Sequence, residues 1–199
     1  MYVQESALME TQNVEELSIR KIIFYICLLI VIDQAIKIVI YSFFMEVRIE
    51  IIPSLFEFFP YFNDKHSYVN SLLFKYFNIN LGFMLHLGLY LFILFLLLPS
   101  LWLTFRTTIH ENKKLLDVAF SVGIAATICS ITGNLIWQKG TLDYIYLKPL
   151  FVFDLKDLYV NCFLILFLVY AFKNRVQLKN VKSLKNVCVY MWERLRKQQ

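Results

Sequence analysis

The sequence is short of charge. Only 18% of its 199 residues are Asp, Glu, Lys or Arg, while 59% are hydrophobic and the mean hydropathy is +0.58. A water-soluble domain of this size has no interior large enough for so much apolar surface. Cysteine is scarce as well, with four in the chain. Cys27, Cys129 and Cys162 fall inside apolar runs and Cys188 in a basic tail, none in CxxC spacing. That excludes a disulfide framework and a thiolate metal centre. The three histidines, His66, His86 and His110, are scattered, which speaks against a zinc site. With five glycines there is no phosphate-cradling loop, and no internal repeat is visible.

What the chain has instead is long apolar runs. Four reach or approach membrane-spanning length: about 22–44, 81–105, 115–137 and 155–172. The fold class expected is an all-α polytopic membrane protein with four transmembrane helices. The Arg20-Lys21 flank of the first run is also compatible with a signal peptide. The run is longer than a typical signal core and no small-x-small cleavage site follows, so it reads as a retained helix.

The formal charge of +5 is unevenly placed. Arg20 and Lys21 precede the first helix, Arg106, Lys113 and Lys114 lie between the second and third, and eight cations follow Phe172 against one acid, Glu193. Four crossings put all of these on one side, which the positive-inside rule assigns to the cytoplasm. Both termini are then cytoplasmic, and residues 45–80 and 138–154 face outward. The division expected is an acidic, mobile N-terminus over 1–19, a membrane domain over 20–172, and a basic cytoplasmic tail over 173–199. The tail reads equally as a helix on the anionic leaflet or as a solvated end, and nucleic-acid binding is not needed to explain its charge. The outer stretch 45–80 is rich in aromatics (Phe56, Phe58, Phe59, Tyr61, Phe62). It is expected to form a small extended or β platform with an amphipathic segment on the outer leaflet.

Ionisable residues inside membrane spans are expensive and are functional candidates. In "VIDQAIK", Asp33 and Lys37 are four apart, hence on one helical face. They form a structural ion pair or orient a site. In "ITGNLIWQKG", Gly133 permits close helix approach, Asn134 can hydrogen-bond between helices, and Trp137 suits an interfacial belt. Asp117 reads as a partner of a helix N-terminus, and Glu57 and Asp64 as solvated.

The densest signal is "TLDYIYLKPLFVFDLKDLYV", residues 141–160. Asp143 follows the third helix and Asp157 opens the fourth. If the short loop folds back, the two carboxylates meet at the outer membrane boundary. Adjacent carboxylates share a proton, so one can deprotonate water while the other protonates a carbonyl. The structural alternatives are a helix cap for Asp157 and a turn residue for Asp143.

These residues resemble a known family, the lipoprotein signal peptidases (signal peptidase II), four-helix bacterial membrane aspartyl proteases. The match runs from about 22 to 172 and rests on five pieces in order: "DQAIK", a Pro-then-Asn pattern in the first outer loop, "GNLI", "LDYI" and "FDLKD". The resemblance implies that Asp143 and Asp157 are the catalytic dyad. It makes Asp33, Lys37, Asn134, Asp154 and an outer-loop asparagine the substrate-positioning or structural polar residues. Asn63, ten residues after Pro53, suits the family's spacing better than Asn80, which comes late although it keeps the Asn-x-Gly pattern. The chain departs from the family where Trp137-Gln138 replaces an Asp-Arg pair and Asp154 replaces an asparagine.

The resemblance further implies the substrate, a diacylglyceryl-modified prolipoprotein cut before its lipid-modified cysteine. It implies a monomer in the bacterial inner membrane, in contact with membrane lipid and using no metal or cofactor. The competing reading is a non-proteolytic membrane protein, either a binder of lipoprotein precursors or a small ion-coupled carrier.

Overall fold

The computed structural model describes residues 16–65, 67–137 and 140–180. Four helices are long and apolar enough to cross a membrane: Ile19–Phe43, Phe83–Thr108, Lys113–Ile136 and Leu155–Lys173. The first is α1, the third α5 and the last α6. A short helix, α7, spans Arg175–Asn180. The second expected run is three pieces in one rod. Helix α3 (Phe83–Phe92) passes through a π turn (Ile93–Leu97) into α4 (Leu98–Thr108). Pro99 lies at the start of α4. It has no N–H to donate back along the helix, so the ladder widens by one residue there.

The crossing helices have different jobs. Within α5 61% of the most apolar window is buried, against 17%, 11% and 17% in the other three. Helix α5 is therefore the axis on which α1, α4 and α6 pack. Its sequence allows this because its buried positions are small: Ala119, Ser121, Gly123, Ala125, Ala126 and Thr127 among them. Ser121, Thr127 and Ser130 return their hydroxyls to carbonyls one turn back, which satisfies them without water. Close approach is made at Gly123, where a Cβ would meet the Phe163 ring at 2.9 Å. The expectation for Gly133 needs correction. It faces Thr141, and a Cβ there would sit at ordinary contact distance. The outward faces of α1, α3, the π turn and α6 carry exposed Phe24, Phe43, Met84, Phe95 and Leu168. Lipid is the solvent that such surfaces require.

At one end of the bundle the connections form a sheet in the antiparallel order β1-β2-β3-β4. Strands β1 (Ile49–Ile52) and β2 (Phe56–Asn63) lie between α1 and the second span, as expected. Strands β3 (Thr141–Leu147) and β4 (Phe151–Phe153) come from the second loop and complete the platform. The sequence reading had not assigned them to it. Strand β2 bulges between Phe58 and Tyr61, at Pro60, whose missing N–H suits a break in the ladder. Helix α2 (Tyr68–Phe77) follows β2, capped by Ser67.

At the opposite end Asp117 is fully buried on α5. It accepts from the Leu17 backbone N–H at 3.0 Å and from Trp102 Nε1 at 2.8 Å, and pairs with Arg106 at 3.2 Å. Its role is to tie α4 and the chain before α1 to α5, not to partner a helix N-terminus. Most of the basic tail (181–199), residues 1–15 and Gln138 lie outside the described residues.

Candidate active site

Strand register builds the site. Strands β3 and β4 pair Ile145 with Phe153. Continuing that pairing two residues sets Asp143 opposite Leu155, inside the first turn of α6. That turn is held by a reciprocal capping box. Asp154, the N-cap, accepts from the Asp157 N–H at 3.2 Å, and the Asp157 carboxylate accepts from the Asp154 N–H at 3.2 Å. The cap is therefore Asp154, not Asp157, and Asp143 is a strand residue paired with Tyr61, not a turn residue.

Asp143, Asp154 and Asp157 present carboxylate oxygens within 4.8 Å of one another. Lys156 Nζ stands among them, 2.8 Å from Asp154, 3.1 Å from Asp143 and 3.5 Å from Asp157. The other oxygen of Asp143 accepts from Asn63 Nδ2 at 3.0 Å. Asn63 ends β2 and is thus the outer-loop asparagine that reaches this cluster. Asn80 instead accepts from Asn70. Asp154 also pairs with Lys37 at 2.7 Å, and Lys37 with Asp33 at 2.8 Å, all three fully buried at their side chains. The helix-one pair is therefore joined to the aspartate cluster through Asp154. Asn134 is buried on α5 and donates to the Ser130 carbonyl at 2.8 Å. Lys148 does not reach Asp154. It holds Glu50 and Glu57 at the sheet, both at 2.7 Å, so Glu57 is paired and not simply solvated. Trp137 packs on Tyr41 at 4.8 Å and Phe62 at 6.0 Å between centroids.

The two central aspartates differ in exposure. The Asp143 side chain is 3% exposed and that of Asp157 is 41%. Burial pushes the Asp143 carboxyl above its ordinary range, against the pull of Lys156 and the hydrogen bond from Asn63. Asp154 is equally buried, but Lys156 and Lys37 outweigh that and hold it below the ordinary range. Burial, with Asp143 adding its charge, lifts Tyr61 on β2 to about 12.

A family model for signal peptidase (SPase) II matches residues 25–173. The chain belongs to the signal peptidase II family. The match takes in the sheet, most of α1 and the other three crossing helices. Members remove signal peptides from lipoprotein precursors, so this chain is a multi-pass membrane peptidase of an aspartic-type family. Two solved structures, both titled bacterial membrane enzymes determined by the in meso method, share its fold. One, at 1.9 Å, gives a TM-score of 0.61 with 16% identity over 82% of this chain and 99% of that one. The other, at 2.3 Å, gives 0.61 with 15% identity over 82% and 94%. No curated protein sequence matches significantly.

Two residues of the site escaped the sequence reading. Lys156 lies within "FDLKD" but is not among the candidate residues read from that stretch. Its position beside Asp157 and two residues after the cap was the available signal. Gly140 is the second. Its φ is +109°, and a Cβ there would run into the backbone of Asn63.

Proposed function

We propose that this signal peptidase II is an aspartyl endopeptidase whose dyad is Asp143 and Asp157. Its substrate is a diacylglyceryl-modified prolipoprotein, cut on the N-terminal side of the lipid-modified cysteine. The observation that carries the reading is the convergence of two carboxylates from different elements, one enclosed and one open, at the sheet end of an apolar bundle. The sheet end faces outward, and both termini and the basic tail are cytoplasmic, in a bacterial inner membrane. The functional unit is the monomer, and residues 20–172 form the protease domain.

The chemistry follows from a shared proton. The ionised member takes a proton from water, which adds to the scissile carbonyl. The protonated member gives its proton to the carbonyl oxygen. As the gem-diol collapses, one of its hydroxyls returns a proton to the member that gave one, and the proton taken from water passes from the other member to the leaving amine. Water must reach the carbonyl, which suits a dyad at the membrane boundary. Acyl chains and signal helix held in the bilayer supply orientation. Asn63 and Asn134 orient the peptide or the developing oxyanion, and Asp33 and Lys37 fix Asp154.

The test is cleavage of a diacylglyceryl-modified prolipoprotein by the purified chain in bilayers. Wild type is expected to cleave, and Asp143→Asn and Asp157→Asn are not. Appreciable cleavage by either variant overturns the dyad. Binding of the precursor without cleavage by folded wild type would make the chain a binder.

A further inference from the structure

The two lysines of the buried network are not equivalent. Lys37 lies one step from the dyad, between Asp33 and Asp154. Lys156 touches both dyad members and Asp154 at once, and the residue is 5% exposed. The groups facing it are Asp143 and Tyr144 of β3, Asp154 and Asp157 at the start of α6, Tyr61 of β2, Tyr90 of α3, and Lys37 with Asp33 from α1. An ammonium between three carboxylates favours their ionised forms, and most strongly the one it contacts with least water between.

We infer that Lys156 is a positioning residue for the dyad: together with Asn63 it keeps the enclosed Asp143 ionised, so that the proton the pair shares resides on the open Asp157. Both oxygens of Asp143 are met by donors, Lys156 Nζ on Oδ1 and Asn63 Nδ2 on Oδ2, an arrangement that fits an acceptor. On Asp157, Oδ2 accepts a backbone N–H at 3.2 Å and has Lys156 at 3.5 Å, while nearly half of the side chain is open. Asp143 is thus the member that takes the proton from water, and Asp157 the member that gives one to the substrate carbonyl. Each recovers its starting form when the amine leaves with the proton from Asp143 and the gem-diol returns one to Asp157.

This inference rests on the dyad proposed above, and the experiment separates the two. Steady-state kcat and KM are measured against pH for full-length wild type, Lys156→Met, Lys156→Gln and Lys156→Arg, with Asp143→Asn as the inactive control. The substrate is a diacylglyceryl-modified prolipoprotein. Active wild type with an inactive control upholds the dyad. Removing the ammonium makes the first ionisation of the pair harder, so the acid limb of kcat moves to higher pH in Met and Gln. A displacement of one unit costs about tenfold in kcat on that limb. KM stays near wild type, and Arg returns the limb to its wild-type place. Gln keeps a donor for the carboxylates and serves where Met fails to fold. An acid limb unmoved in the folded uncharged variant, or moved equally in Arg, overturns the role of Lys156 and leaves the dyad standing. An inactive folded wild type overturns both.

Discussion

Aspartate is buried at both ends of this bundle, and the two ends treat it differently. At the end away from the sheet, Asp117 meets a backbone N–H, an indole N–H and a guanidinium. Its charge is balanced and its oxygens are occupied. At the sheet end four carboxylates, Asp33, Asp143, Asp154 and Asp157, share two ammoniums, Lys37 and Lys156. Negative charge is in excess where burial makes excess costly. The first arrangement fastens chain segments together. The second raises Asp143 above its ordinary range, which is the setting that the proposed proton-sharing dyad requires.

The largest effect that would break this contrast is loss of cleavage with stability kept. Asp143→Asn and Asp157→Asn are expected to lower kcat by about 10³-fold or more, the scale of acid–base catalysis, while thermal unfolding in detergent stays near wild type. Asp117→Asn should do the reverse. It is expected to cost about 1–3 kcal/mol of stability by weakening a buried paired charge, read from the unfolding midpoint, with kcat of the folded fraction unchanged. A loss of activity there without loss of stability would erase the distinction between the ends.

Gly140→Ala sharpens the boundary of the site. Its positive φ and the Asn63 backbone against it leave no room for a methyl group. The variant should lose about tenfold in kcat/KM through the displaced Asn63, since a small misplacement near the chemistry carries a cost of that order or more. A pH titration of stability sharpens it further. Burial raises Asp143, so between the ordinary carboxylate range and the raised value the folded chain holds a proton there that the unfolded chain releases, while above that value Asp143 is ionised. That contribution is fully present below the ordinary carboxylate range and is lost as pH rises through the raised value. Asp154 is lowered, so its contribution is present above the ordinary range and is lost as pH falls through the lowered value. Unfolding midpoints between about pH 2 and 8 in wild type and Asp143→Asn test this, the variant lacking the first trend. The smallest effect is expected at the sheet edge. Lys148 is held at both neighbours but open to water, so Lys148→Ala should leave the unfolding midpoint and the cleavage rate within error.

Much of this was legible in the chain. The four spans follow from length and hydropathy alone, because a bilayer imposes both on any helix that crosses it. The i, i+4 pairing of Asp33 and Lys37 follows from helical geometry, and the structure pairs them at 2.8 Å. The aromatic outer stretch pointed to an extended platform. Its second half, β3 and β4, was not read because "TLDYIYLKPLFVF" looks like loop around its Lys148-Pro149 turn until a partner strand is supplied. Asp117 was misread because the side chains that occupy it, Trp102 and Arg106, belong to another helix. Gly133 was credited with a close approach that Gly123 makes, a choice set by where the Phe163 ring lies.

By itself the sequence determined that the chain lives in lipid, crosses it four times and carries acids where lipid makes them costly. Its ordered motifs also pointed to the family. Only the tertiary structure decided which acids meet. The register of β3 on β4 and the capping box of α6 bring Asp143 to Asp157, and Lys156 to both. Hydropathy is additive along a chain and can be read from it. Charge coupling depends on distance between atoms far apart in sequence, and that exists only once the strands have paired.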